Sequence, residues 1–194
     1  MQALTLWNCL MWAWLGLEIL VFVITRTRSG GGKVQDRGSM LLLWIVIVAS
    51  LMGSAWVREF VNRETLPAGI DFGAHWLRPL SLIVLVTGLA IRVTAILSLG
   101  KSFSANVAIR AEQKVHRAGL YRFVRHPSYS GLLIIFLAVG LHARNWASLA
   151  VMLVPTTLAL LYRIHVEEAA LRQAFGEEYV EYTRVTKRLI PGIF

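Results

Sequence analysis

The chain is poor in charged residues and contains a single cysteine. Charged side chains make up only 16% of its 194 residues, too small a share for the surface of an ordinary water-soluble protein. The lone Cys9 excludes a disulfide framework and a cysteine metal site, and we expect no metal. The N-terminus lacks a basic segment and a small-residue cleavage site, so we expect no cleavable signal peptide. These absences argue against a soluble domain and against a disulfide-rich secreted protein.

Apolar stretches of membrane-spanning length occupy much of the chain instead. Three of them cover residues 4–25, 39–57 and 76–99. A helix of about 20 residues, at roughly 1.5 Å per residue, crosses a hydrocarbon core of about 30 Å. A fourth apolar region, residues 127–164, is too long for one helix, and a polar break at residues 142–145 divides it into a short helix and a longer one. The sequence predicts an all-α integral membrane protein with about five transmembrane helices.

The net charge of +9 is unevenly distributed over the loops between these spans. The first loop, the stretch between the third and fourth spans and the C-terminal segment carry fifteen lysines and arginines, whereas the alternate loops carry four. Because basic loops stay on the cytoplasmic side, this bias predicts an external N-terminus and a cytoplasmic C-terminus. We expect the membrane to be the inner (plasma) membrane. A basic protein could instead bind nucleic acid, but these charges border membrane helices. We therefore expect anionic membrane lipids, and no nucleic acid, as partners.

Two ionisable residues lie inside predicted spans, Glu18 in the first and Arg92 in the third. Both spans run in the same direction, so the two charges lie at a similar depth, towards the cytoplasmic side. Charges are costly in hydrocarbon, and a buried ion pair between them would offset that cost. The alternative is that each side chain extends separately to the membrane surface, which suits the long arginine better than the glutamate.

The C-terminal segment, residues 167–185, has the pattern of an amphipathic helix. Its apolar residues follow steps of three and four and predict one apolar face that lies on the membrane surface or folds back over the core. They are Leu171, Phe175, Tyr179, Tyr182 and Val185. Gly176 interrupts the segment, and we expect a bend there.

The most informative motif is Arg125-His126-Pro127-Ser128-Tyr129-Ser130-Gly131, which is followed later in the chain by the acidic pair Glu167-Glu168. Both lie at the edges of membrane-spanning segments, where clustered polar side chains are costly and therefore commonly functional. The ordinary interpretation is a set of basic flanking residues, a proline at a helix start and a solvated acidic turn.

Further residues make the pattern more specific, and the region 100–194 resembles the isoprenylcysteine carboxyl methyltransferase family of integral membrane methyltransferases. The Arg-His-Pro-x-Tyr motif alone also occurs in phospholipid N-methyltransferases and membrane sterol reductases, whereas the whole set in this order is more selective. The other matching residues are Gly119-Leu120-Tyr121, Arg163, Glu167-Glu168, Leu171, Phe175-Gly176-Glu177-Glu178-Tyr179, Tyr182 and Ile190-Pro191.

The resemblance implies S-adenosylmethionine as methyl donor, a cofactor pocket open to the cytosol and a lipid-like substrate that enters from the bilayer. A pocket for this donor needs cationic groups for its carboxylate and carboxylates for its ammonium group or ribose hydroxyls. The family often has a histidine at the position of Gln113, whose amide can hydrogen-bond but cannot become cationic. The implied cofactor-binding residues are Gln113, Gly119, Tyr121, Arg125, His126, Pro127, Tyr129, Glu167 and Glu168.

Arg163 and Glu167 are the implied catalytic residues. In the family, the arginine at this position lies beside the acceptor group, where a guanidinium can hold a carboxylate in a bidentate contact. The alternative is an ordinary salt bridge between these two side chains, which lie four residues apart on one face of a helix. Residues 1–99 then form three N-terminal transmembrane helices, and residues 100–194 form the catalytic and cofactor-binding region of the same structural unit.

The sequence leaves the acceptor open. We expect a lipophilic small molecule or a lipid-modified substrate, methylated at the cytoplasmic leaflet. The acceptor group is a prenylated cysteine carboxylate, a small isoprenoid acid, a lipid amine or an alcohol. Two other functions remain: a membrane reductase that uses NADPH, and a non-catalytic lipid-binding membrane protein. Sterol reductases with the shared motif are larger than this chain, which counts against the reductase.

Overall fold

Six α-helices dominate the part of the chain that the computed structural model describes, namely residues 2–28, 33–34, 38–64, 74–100, 108–109 and 115–194. They are α1 (Gln2–Arg28), α2 (Ser39–Glu64), α3 (Ala74–Leu99), α4 (Pro127–Ala143), α5 (Trp146–Phe175) and α6 (Glu177–Val185). Two strands of two residues each, β1 (Lys33–Val34) and β2 (Ala108–Ile109), pair antiparallel. A short 3-10 helix, Gly119–Arg122, precedes α4. The predicted all-α fold is confirmed.

Five of these helices are apolar enough for a membrane. Four contain candidate spans, at Leu6–Val23, Ser39–Phe60, His75–Leu99 and Trp146–Phe175, and α4 is a shorter apolar helix. The prediction of about five transmembrane helices is confirmed by these four candidate spans together with the shorter apolar helix α4. Large apolar side chains, among them those of Trp12 and Leu97, are exposed on the helix surfaces, as expected where lipid tails replace water.

The helices pack in two principal pairs, α3 with α4 and α2 with α5, and α4 and α5 also contact each other. Glycines bring α3 and α4 into close contact, as is common between membrane helices. A Cβ atom on Gly131 would lie 2.7 Å from the backbone nitrogen of Arg92, and one on Gly88 would lie 2.9 Å from the carbonyl oxygen of Gly131. No other residue fits these positions without moving a helix backbone.

Local signals account for the helix ends around the polar break and around the bend. Pro127 is the first residue of α4, where its missing N–H has no intrahelical partner to lose. Asn145 caps α5 by accepting a 2.9 Å hydrogen bond from the backbone nitrogen of Ser148. Gly176, with φ of 54°, separates α5 from α6 in a conformation that favours glycine. The predicted bend is confirmed.

Helix α6 folds back over the core. Tyr179 and Tyr182 are buried, and the Tyr182 hydroxyl donates a hydrogen bond to the carbonyl oxygen of Tyr121. Val185, at the end of the predicted apolar face, is 79% exposed and does not pack on the core. Val185 is the last helical residue, and the chain turns at Thr186 towards the start of α4 rather than continuing the helical face.

Glu18 and Arg92 form a buried ion pair, which confirms the first of the two alternatives for these residues. Their side chains are both almost fully buried, and the Arg92 guanidinium contacts both carboxylate oxygens of Glu18. The indole nitrogen of Trp14 donates a further 3.0 Å hydrogen bond to the same carboxylate. This cluster joins α1 to α3.

Candidate active site

The C-terminal segment docks beside the start of α4 through backbone hydrogen bonds. The backbone nitrogen of Arg125 donates to the carbonyl oxygen of Lys187 at 2.7 Å, and that of His126 donates to Arg188 at 3.0 Å. Val124 and Lys187 form a parallel β-bridge next to these bonds. The Arg-His-Pro motif is therefore held against the end of the chain rather than being a free membrane flank.

Glu168 is the ionic centre of this junction. Its buried carboxylate accepts a 2.9 Å hydrogen bond from Nε of Arg125 and bonds of 3.2 and 3.1 Å from Nε and Nη2 of Arg188. Nε2 of His126 lies 3.4 Å from the same carboxylate. The Arg125 guanidinium also donates to the carbonyl oxygens of Thr183 and Thr186. These contacts join the start of α4, helix α5 and the C-terminal segment.

Glu167, the adjacent carboxylate, lies among a different set of groups. Its side chain is 27% exposed, and Oε2 accepts a 2.8 Å hydrogen bond from the Tyr129 hydroxyl. Nδ1 of His126 lies 4.0 Å from the same oxygen. The His126 and Tyr129 rings are nearly parallel, with centroids 5.6 Å apart. Because adjacent helical residues point about 100° apart, the pair Glu167-Glu168 presents one carboxylate to each set.

Arg163 lies one helical turn before Glu167, and its side chain is only 1% exposed. Nε donates to the Tyr129 hydroxyl at 3.3 Å, and Nη1 donates to the Ser39 hydroxyl at 2.6 Å. The Tyr129 hydroxyl thus links the implied catalytic arginine to the implied catalytic glutamate. Ser39 was missed by sequence reasoning, because the only signal was its position at the start of a helix that follows a basic loop.

The 3-10 helix brings the Gly-x-Tyr residues to the same end of the molecule. Gly119 opens it with a φ of 60°, and the buried Tyr121 donates a 3.3 Å hydrogen bond to the carbonyl oxygen of Ala95 in α3. Burial and the nearby Glu167 carboxylate raise the pKa of Tyr121 far above its usual range, and burial raises the pKa of Tyr182 to about 12. Both phenols therefore remain neutral hydrogen-bond donors at physiological pH. Gln113 lies outside the described residues.

The donor set suits a small zwitterionic cofactor. The partly exposed carboxylate of Glu167 lies close to the cationic Arg163 and to the hydrogen-bonding side chains of His126 and Tyr129. In the part of the chain that the structure describes, the buried Tyr179 hydroxyl has no protein hydrogen-bond partner. A buried polar atom without a partner is costly unless water or a ligand satisfies it. Within the same described residues, no group of three or more His, Cys, Asp or Glu side chains could hold a metal ion.

Comparisons with known proteins identify relatives of this chain. The model of the isoprenylcysteine carboxyl methyltransferase (ICMT) family matches residues 81–173. Protein-S-isoprenylcysteine O-methyltransferase B of Arabidopsis thaliana is 35% identical over 120 residues, which are 61% of this chain and 61% of the relative. The A form of the same plant is 33% identical over 179 residues, which are 91% of this chain and 88% of the relative.

A solved structure has the same fold. It is that of the eukaryotic intramembrane Ras methyltransferase ICMT without a monobody, which matches with a TM-score of 0.64 at 28% sequence identity. The match covers 74% of this chain and 51% of that chain, so this chain spans about half of the eukaryotic enzyme. With the family match over α3 to α5 and the near full-length similarity to the plant A form, the chain belongs to the isoprenylcysteine carboxyl methyltransferase family of integral membrane methyltransferases.

Proposed function

We propose that the protein transfers a methyl group from S-adenosylmethionine to the carboxylate of a lipid-modified acceptor, an S-prenylcysteine being the best fit, at the cytoplasmic leaflet. The observation that carries this proposal is the buried Arg163 guanidinium, which is joined through the Tyr129 hydroxyl to Glu167. An arginine almost fully buried between membrane helices is expensive unless it serves a site. Its planar fork suits a carboxylate acceptor.

The cofactor residues divide by charge. S-adenosylmethionine, when bound, supplies a methyl group on a sulfonium, and no strong acid or base is needed to release it. A ring N–H of His126 can donate to its carboxylate or hydroxyls, and the Glu167 carboxylate, which the Tyr129 hydroxyl holds in place, accepts from its ammonium group or ribose hydroxyls. Gly119 and Tyr121 border the same end of the molecule, and Gln113 completes the proposed set by resemblance.

Catalysis in this proposal is mainly positioning. An in-line displacement requires the attacking oxygen, the methyl carbon and the leaving sulfur to be aligned. Arg163 fixes the acceptor carboxylate and directs one oxygen towards the methyl group. Ser39 and Tyr129 hold the guanidinium from two sides, at 2.6 and 3.3 Å, which limits the orientations it can take.

Orientation in the membrane is part of the proposal. The ratio of fifteen to four basic residues supports a cytoplasmic site, because Arg163 contacts Ser39, the first residue of α2, which follows the basic first loop in the sequence. In a Cys9→Ser background, Gly31→Cys should resist an impermeant thiol reagent applied outside intact cells, whereas Trp146→Cys, at a 60% exposed position, should react. The opposite labelling pattern would place the site on the outer face.

The function is tested with the purified protein and two ligands. Calorimetric titration should detect binding of S-adenosylhomocysteine and no binding of NADPH. With S-adenosylmethionine present, N-acetyl-S-farnesylcysteine should become a methyl ester, and the same compound already esterified should not react. Binding of NADPH alone would support the reductase instead. Binding of neither ligand would support a non-catalytic lipid-binding protein.

A further inference from the structure

The ion pair of Glu18 and Arg92 makes more contacts than charge neutralisation requires. The side chains of Glu18 and Arg92 are 5% and 8% exposed, and both residues lie within candidate membrane spans. Nε and Nη2 of Arg92 face the Glu18 carboxylate, the latter at 2.6 Å. Through these two contacts the Glu18 carboxylate already balances the charge of the arginine. The remaining terminal nitrogen is directed away from Glu18, towards α4.

That third donor contacts the site motif. Nη1 of Arg92 donates to the Ser128 hydroxyl at 2.8 Å and to the Ser128 carbonyl oxygen at 3.1 Å. Ser128 stands between Pro127, the first residue of α4, and Tyr129. The contact between Arg92 and the first turn of α4 is short because Gly131 lets the two helix backbones approach each other.

The Ser128 contact bears on the position of the next residue, Tyr129. Its hydroxyl donates to Glu167 and accepts from Arg163, so it touches both implied catalytic residues. A side chain that holds the backbone of Ser128 also fixes the direction in which the next residue leaves the helix. The path Glu18, Arg92, Ser128, Tyr129 therefore runs from α1 to the centre of the site, although the family match begins only at residue 81.

We propose that Glu18 and Arg92 are positioning residues for methyl transfer: Glu18 orients Arg92, and Arg92 fixes the first turn of α4 so that the Tyr129 hydroxyl lies between Glu167 and Arg163. This inference rests on the proposed function. A role in stability alone explains the pair less well, since replacing both members of a buried ion pair by apolar residues is often neutral or stabilising. The Ser128 contact is the part that apolar residues cannot replace.

The decisive variant is the double substitution Glu18→Gln with Arg92→Met, which removes both charges while the Gln amide oxygen can still accept the hydrogen bond from the Trp14 indole. We expect the melting temperature without ligand to stay within about 4 °C of wild type, equivalent to about 1 kcal/mol. Methylation of N-acetyl-S-farnesylcysteine should fall about tenfold to a hundredfold, mainly in kcat, because misplacement of a site group by about 1 Å costs that much. Ser148→Ala is the matched control: it removes another fully buried hydrogen bond, 3.0 Å to the Ser54 carbonyl, at the opposite end of the helices, and should leave kcat unchanged.

Arg92→Lys keeps the proposal testable should the double variant fail to fold. Its ammonium retains the charge pair with Glu18 but cannot span both Glu18 and Ser128 as the guanidinium does. A folded Arg92→Lys protein with reduced kcat supports the positioning role. Wild-type kcat in either folded variant overturns it and leaves the pair a structural one. An inactive wild-type protein would instead count against the proposed function, so the two failures are distinguishable.

Discussion

Two adjacent carboxylates allow the division between cofactor binding and structure to be tested with the same chemical change. Glu167 is partly exposed and accepts from the Tyr129 hydroxyl, whereas Glu168 is buried and accepts from Arg125, His126 and Arg188. The resemblance implies both as cofactor-binding residues, with Glu167 facing the cofactor and Glu168, about 100° away on the helix, open to a structural role. We predict that Glu167→Gln weakens cofactor binding in a protein of nearly normal stability, and that Glu168→Gln destabilises the protein.

The expected losses of stability and of cofactor affinity depend on which groups each substitution leaves without a partner. Glu168→Gln leaves the Arg125 side chain, which is 8% exposed, without its counter-charge, and breaking a buried pair costs about 3–5 kcal/mol. For a chain of this length that lowers the melting temperature by roughly 10 °C. In Glu167→Gln, the amide oxygen still accepts from Tyr129, so the ligand-free protein loses little. A lost charge-assisted hydrogen bond to the cofactor costs about 1.5–3 kcal/mol, or roughly tenfold to a hundredfold in Kd.

Both quantities come from one pair of experiments on the detergent-purified protein. Thermal unfolding is followed without ligand, and S-adenosylhomocysteine is then titrated by calorimetry at a temperature where all variants are folded. The expected result is a low melting temperature for Glu168→Gln and a raised Kd for Glu167→Gln. Equal losses of cofactor affinity in two equally stable variants would refute the division, because Glu168 would then contact the ligand as directly as Glu167 does.

Two further predictions concern single side chains of the site. Arg163→Ala should lower turnover by orders of magnitude with little change in the Kd of S-adenosylhomocysteine. Arg163→Lys should restore little turnover, because an ammonium group cannot make the bidentate contact. Loss of cofactor binding in Arg163→Ala would instead assign Arg163 to the cofactor pocket. Tyr182→Phe removes the hydrogen bond to the Tyr121 carbonyl and should lower the free energy of unfolding by about 1 kcal/mol. Tyr179→Phe removes a hydroxyl that has no protein partner among the described residues, so it should not destabilise the ligand-free protein in a thermal melt. Equal destabilisation by both changes would contradict this expectation.

The features that local interactions decide were predictable from the sequence. The start of α4 at Pro127, the polar break at residues 142–145 and the bend at Gly176 follow from the local chemistry of those residues. The span lengths follow from hydropathy and the thickness of a bilayer. Periodicity did not show which residues of the apolar face pack on the core: Val185, the last residue of α6, is exposed because the chain turns away at Thr186.

Contacts between distant segments were predictable only where the membrane supplied a second constraint. Both Glu18 and Arg92 are costly in hydrocarbon and lie at similar depth in the membrane, so depth and charge together predicted that they pair with each other. Depth says nothing about lateral neighbours, and the Ser39 contact of Arg163 and the Ser128 contact of Arg92 both depend on which helices stand side by side. These lateral contacts bring residues of the N-terminal helices into a site whose recognisable motifs all lie in the C-terminal half. A truncated protein that lacked α1 would therefore retain every motif and still lose the Glu18 contact that orients Arg92.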